Sequence, residues 1–133
     1  MIICGDSLTT LKTLESDSIR TCITSPPYYR LRDYGVAGQI GLEETPEEFI
    51  DRLVEVFHEV KRVLTPDGTL WINIADSYVG AGGDRKKSAN NDIFDKIQKQ
   101  NPKDGRYKSI CRMKESGLKP KDLIGIPWML AFA

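Results

Sequence analysis

The chain has 133 residues, with 19 Lys/Arg balancing 19 Asp/Glu and 40% hydrophobic residues. That suits one globular domain, or part of one, with enough apolar residues for a real core. The apolar run at residues 123–133 is too short to span a bilayer. One histidine, His58, and three scattered cysteines without a CxxC pair exclude a zinc site of ordinary spacing and a disulfide framework. The opening residues carry neither a basic segment nor a cleavable apolar run, so a cytoplasmic protein without membrane attachment is expected.

Residues 1–4 read as a short apolar strand ending at Gly5-Asp6. Leu8, Leu11 and Leu14 then recur at helical spacing, predicting a short helix over residues 7–14 capped by Asp6 or Ser7. Residues 19–24, centred on Cys22 and Ile23, read as a buried strand. Cys4 and Cys22, both in such runs, are expected to be inert core thiols. Pro26-Pro27 halts the strand, since neither residue donates a backbone hydrogen bond and each restricts its predecessor. A stiff loop from Ser25 onward is thus presented at the carboxyl end of a strand, where open α/β sheets place ligands.

Thr45-Pro46-Glu47-Glu48 opens the clearest helix, with a threonine cap, proline at the first helical position and glutamate three residues after the cap. Phe49, Leu53, Val56, Phe57, Val60 and Leu64 give it one apolar stripe, and Lys61-Arg62 suit its carboxyl end. Pro66-Asp67-Gly68 predicts a turn. Residues 69–75 predict a strand, with Leu70, Ile72 and Ile74 on one face and Trp71 on the other. Strands separated by helical spacers imply a parallel α/β sheet flanked by helices.

From residue 79 the periodicity dissolves, with one weak helical stretch at residues 91–100. Residues 84–121 hold 12 Lys/Arg against 5 Asp/Glu. A flexible, irregular basic insert over about residues 80–117 is expected, facing a polyanion. Gly80-Ala81-Gly82-Gly83 lacks the Gly-Lys-Ser/Thr ending of a phosphate loop and reads as a hinge. Helical spacing resumes after Lys121. The chain stops inside this apolar run without a capping signal, so a piece of a longer protein is expected, with apolar surface suited to a homodimer.

Thr24-Ser25-Pro26-Pro27-Tyr28-Tyr29 resembles the signature of the DNA amino-methyltransferases: Asp, Asn or Ser, then Pro-Pro, then Tyr or Phe. Gly5-Asp6-Ser7-Leu8 upstream, Leu31-Arg32-Asp33-Tyr34-Gly35, Gly38-Gln39-Ile40-Gly41-Leu42-Glu43, the strand around Trp71 and the segment around Trp128 also look like family elements, in an order that puts the catalytic motif near the N-terminus. The resemblance implies a partial Rossmann-like methyltransferase fold that spans residues 1–133. It implies S-adenosylmethionine as cofactor, double-stranded DNA as partner and no metal. Ser25, Pro26, Pro27 and Tyr28 would be the catalytic residues, and Asp6 and Thr24 would lie on the cofactor side. Asp6 reads equally well as a plain helix cap.

An exocyclic amine is a poor nucleophile because its lone pair is delocalised into the ring. Acceptors held against it, such as Ser25 Oγ and the Pro26 carbonyl, free that lone pair, and the diproline holds both at little entropic cost. The target base must leave the duplex, and Tyr28 would stack on it. Tyr29, Arg30 and Arg32 would line the DNA strand or contact phosphate, though Arg32-Asp33 reads also as a surface ion pair.

The serine form of the motif leans toward cytosine N4, with adenine N6 as the alternative. A restriction-linked role and a solitary one look alike in sequence. A catalytically inactive DNA-binding piece of the same fold, or an enzyme acting on RNA or a protein amide, are the rival readings. The family's late Asp-Pro-Phe-x-Gly-x-Gly-like loop has no match here. An incomplete cofactor pocket, and weak or absent activity from these residues alone, are therefore expected.

Overall fold

The computed structural model describes residues 2–79, 117–119 and 121–133. The basic insert, the helical stretch at 91–100, the glycine run at 80–83 and Cys111 lie outside them. The chain forms two units. The first comprises residues 1–77 and 123–133, and the second comprises residues 78–122.

The first unit runs α1 (Ser7–Leu11), β1 (Ile19–Thr24), α2 (Pro46–Val63), β2 (Leu64–Ile72) and α3 (Ile126–Phe132). Asp6 caps α1, accepting from Thr9 N at 2.9 Å. The helix ends at Leu11, short of Leu14, where Thr13 N and Leu14 N donate three residues back rather than four, to the Thr10 and Leu11 carbonyls, both at 3.0 Å. The Arg62 guanidinium of α2 donates to the Leu11 carbonyl at 2.9 Å and to the Leu14 carbonyl at 3.1 Å, anchoring the turn that follows the helix.

The predicted cap of α2 forms in full. Glu48 N donates to Thr45 Oγ1, and Glu48 Oε2 accepts from Thr45 N, both at 3.2 Å. Its apolar stripe delivers Phe49, Ile50, Leu53, Val60 and Val63 to the interior. Phe49, Ile50 and Leu53 join Tyr29 and Ile126 in one core cluster, with Phe57, Ile124 and Met129 packed on its margin. Full burial of such side chains stabilises by about 1.5–3 kcal/mol each.

β1 and β2 pair in parallel, Thr21 opposite Thr69 and Thr24 opposite Ile72, so α2 is the crossover that parallel pairing requires. Pro66-Asp67-Gly68 does not make a free turn. It lies within β2 as an irregularity, and the register jumps from Ile19↔Leu64 to Thr21↔Thr69. A Cβ at Gly68 would stand 2.9 Å from the Thr65 carbonyl oxygen, which explains glycine at that crowded point.

Three expectations are corrected. Residues 2–4 form no strand, because no described strand offers them a ladder, and Ile2 stays 97% exposed. β1 has its predicted bounds but is not buried. Among the described residues only β2 pairs with it, and Ile23 is 79% exposed. Cys4 is accordingly exposed, while Cys22 is half-buried with its thiol pushed above the ordinary range by desolvation. β2 also stops at Ile72, where ladder pairing with β1 ends, although Asn73 N still donates to the Thr24 carbonyl at 2.9 Å.

In the second unit, Val79 is buried. Its N–H donates to the Asp122 carbonyl at 2.9 Å, and its own carbonyl accepts from Lys121 N at 2.7 Å.

Candidate active site

Ser25 follows β1 directly and is exposed, while Pro26, Pro27 and Tyr28 are half-buried. Neither the Thr24 nor the Ser25 hydroxyl makes a hydrogen bond among the described residues. The segment thus emerges from the strand end with an unspent hydroxyl at its tip, behind two prolines whose φ angles are fixed by their rings.

Tyr29 anchors this segment. It is 1% exposed and enters the core with its ring 5.3 Å from that of Phe49. Its hydroxyl donates to the Glu44 carbonyl at 3.2 Å, and its own carbonyl accepts from Ser77 Oγ at 2.9 Å. Burial pushes the phenol above its ordinary range. The expectation that Tyr29 lines a DNA strand is corrected, because its side chain is consumed by packing.

Arg30 is likewise spent internally. Nε and Nη2 donate to the Glu43 and Glu44 carbonyls at 3.1 and 3.3 Å, and the guanidinium lies 5.7 Å from the Tyr29 ring centre. Its φ of +52° is in the left-handed region, costly for any residue that carries a Cβ. Its N–H, donating to the Gly41 carbonyl at 2.7 Å, helps to hold it there. Arg32 is exposed, and Asp33 turns to its own backbone, accepting from Gly35 N at 2.7 Å. An Arg32–Asp33 ion pair is absent among the described residues.

Asp6 is exposed. Its Oδ1 accepts from both Thr9 N and Thr9 Oγ1 at 2.9 Å, and those bonds hold its carboxyl below the usual carboxylate range. Asp6 is therefore a helix cap in geometry, whatever else it does. His58 is exposed on α2.

Sequence reasoning missed two features. Asp76 closes the amino end of α3, its carboxylate accepting from Gly125 N at 2.9 Å and Ile126 N at 3.0 Å. The signal was a helix that opens Gly125-Ile126-Pro127 with no capping side chain of its own. The other is Gly41, buried with φ +107°, where a Cβ would stand 3.2 Å from the Tyr28 carbonyl oxygen and 3.3 Å from Pro27 Cβ.

A parallel α/β unit with a Ser-Pro-Pro-Tyr loop leaving a strand's carboxyl end defines the amino-methyltransferase class of fold. The chain belongs to the DNA methylase family, whose model matches residues 19–124. It is 53% identical over 129 residues to the Type II methyltransferase M.XycI of Xanthomonas campestris pv. cyanopsidis, covering 97% of this chain and 39% of that protein. Identity to the Type II methyltransferase M.Cfr9I of Citrobacter freundii is 51%, with the same coverage of each. For M.SmaI of Serratia marcescens it is 44% over 132 residues, or 99% of this chain and 41% of the relative. The chain thus spans about two fifths of the length of these relatives. No solved structure matches it.

Proposed function

We propose that the protein transfers a methyl group from S-adenosylmethionine to the exocyclic N4 of cytosine in duplex DNA, and that residues 1–133 carry the catalytic part. The observation that carries this reading is the exposed Ser25, whose hydroxyl makes no hydrogen bond among the described residues, beside the diproline and anchored by a buried Tyr29.

The residues present fit the cofactor in donor chemistry. Asp6 is exposed and held ionised by Thr9, which suits a ribose hydroxyl or an adenine amine as its partner. Thr24 adds a hydroxyl that makes no hydrogen bond among the described residues. These two residues would hold the group, which supplies an electrophilic methyl on a cationic sulfur.

The chain's own work is on the amine. Ser25 Oγ and the Pro26 carbonyl accept the two amine hydrogens and turn the nitrogen lone pair out of conjugation with the ring. Tyr28 stacks on the extruded base and excludes water from its face. The amine proton displaced by the methyl leaves through the Ser25 acceptor to solvent. The diproline keeps both acceptors at fixed positions, so alignment costs little at the moment of reaction.

The test is methyl transfer from labelled S-adenosylmethionine to mixed-sequence duplex DNA by the product of the full open reading frame, followed by digestion to nucleosides. N4-methylcytosine is expected, with Ser25→Ala lowering kcat by about 100-fold. N6-methyladenine would reassign the base and keep the mechanism. DNA binding without any methylated product would establish an inactive binding protein instead.

A further inference from the structure

The loop after the Ser-Pro-Pro-Tyr motif is built around contacts that converge on the motif's own backbone. Gly41 sits against the Pro27–Tyr28 step, so close that a Cβ would meet the Tyr28 carbonyl oxygen at 3.2 Å and Pro27 Cβ at 3.3 Å. Its carbonyl accepts from Arg30 N at 2.7 Å, two residues past Tyr28. Its N–H donates to Glu43 Oε2 at 2.8 Å. Glu43 has a side chain only 7% exposed, and its Oε1 is buried without a hydrogen bond, 3.5 Å from Arg52 Nη1 of α2. Arg52 also donates through Nη2 to the Gly38 carbonyl at 2.9 Å.

A nearly buried carboxylate is expensive unless its charge is answered, so this arrangement persists only because Glu43 is pinned between α2 and the Gly41 amide. We infer that residues 38–44 brace the methyl-acceptor loop, and that Glu43 is a positioning residue acting through Gly41 on Pro27 and Tyr28. The inference rests on the proposed methyl transfer, because it names what sets the position of that reaction's acceptors.

The chain of contact is short. Arg52, on a capped 18-residue helix, fixes Glu43. Glu43 fixes the amide of Gly41, and Gly41 then limits how far Pro27 and Tyr28 can fall back from the strand end. The Glu43 and Glu44 carbonyls meanwhile hold the Arg30 guanidinium, and the Glu44 carbonyl also accepts from the Tyr29 hydroxyl. Freed from the brace, the Pro26 carbonyl and Tyr28 ring would still be present but displaced by a fraction of an ångström. Such a displacement weakens alignment in the transition state more than it weakens DNA binding, most of which lies in phosphate contacts.

The experiment uses the full-length protein with Gly41→Ala, Glu43→Ala and Glu43→Gln. Steady-state kinetics on duplex DNA are measured well below each variant's thermal midpoint, and amide hydrogen exchange is followed at Arg30. Gly41→Ala and Glu43→Ala are expected to lower kcat about 10- to 100-fold with KM for DNA within about threefold. Glu43→Gln, whose amide oxygen still accepts from Gly41 N but whose NH2 then faces Arg52, is expected to fall between Glu43→Ala and the parent. In Glu43→Ala the Arg30 amide should exchange at least about tenfold faster, while the amides in the middle of α2 do not change.

Parental kcat in both Gly41→Ala and Glu43→Ala would overturn the inference. So would Glu43→Gln as slow as Glu43→Ala, or activity losses that only follow the folded fraction. If the parent protein methylates nothing, the functional reading fails. The exchange result then decides the brace alone, with unchanged Arg30 protection overturning it.

Discussion

Removing the Asp76 carboxylate should be among the most destabilising polar changes in the first unit. The carboxylate accepts from Gly125 N at 2.9 Å, Ile126 N at 3.0 Å and its own neighbour Ser77 N at 2.8 Å. Gly125, which opens helix α3, has no side chain to cap it, and Pro127 already denies it one N–H, so Asp76 is its cap among the described residues. Each bond to a charged acceptor is worth about 1.5–3 kcal/mol net. The three share one group and do not add, so Asp76→Ala should cost about 2–4 kcal/mol, of which about 1 kcal/mol is ordinary cap loss. Asp76→Asn keeps one carbonyl acceptor and should recover about half of that.

Urea unfolding followed by circular dichroism gives the total. Hydrogen exchange at the Gly125 and Ile126 amides localises it. Because Ile126 is fully buried in the core cluster, α3 should loosen before α2 does. A loss below about 0.5 kcal/mol with those two amides still protected would refute the reasoning.

Tyr29→Phe should cost about 1 kcal/mol at neutral pH through the lost Glu44 bond. It should also flatten the alkaline limb of stability. The folded phenol titrates above its ordinary value of about 10, so its contribution is complete below that pH. The contribution is lost as the pH rises further, when the unfolded chain ionises first. Equal slopes above pH 10 in parent and variant would contradict the assigned burial. Thr45→Ala removes the hydroxyl that holds Glu48 N and should destabilise by about 1 kcal/mol, read as a shift in the urea midpoint at constant slope.

The elements whose cause is local were readable from the sequence. Thr45-Pro46-Glu47-Glu48 contains its own stop and start chemistry, and α2 begins where it says. The bounds of β1 are fixed by a polar turn before it and Pro26-Pro27 after it. What escaped depends on partners distant in sequence. Whether Ile23 is buried is decided by what lies on the sheet, not by its own apolar side chain, and it is largely exposed. The Tyr28-Tyr29 pair looks like two stacking platforms. Neighbours after a strand point opposite ways, however, and the core took Tyr29. Asp76 and Gly125 are 49 positions apart, and no window of sequence joins them. The candidate site residues rest on motif resemblance alone, since periodicity says nothing about which hydroxyl does chemistry.

The parallel pairing of β1 with β2 also governs the order in which the unit can assemble. Thr21 and Thr69, whose hydroxyls meet at 3.3 Å across the sheet, are 48 residues apart. No hairpin can nucleate that ladder, so its first bond must wait on closure of a long loop. Helix α2 occupies 18 of the intervening residues and is capped by its own neighbours, so it can form in about a microsecond without the sheet. Once formed, it spans about 27 Å as a rod and returns the chain toward its starting edge. The strand end that carries Ser25 therefore acquires its neighbour late, making the Ser-Pro-Pro-Tyr loop a product of the slow, non-local stage of folding.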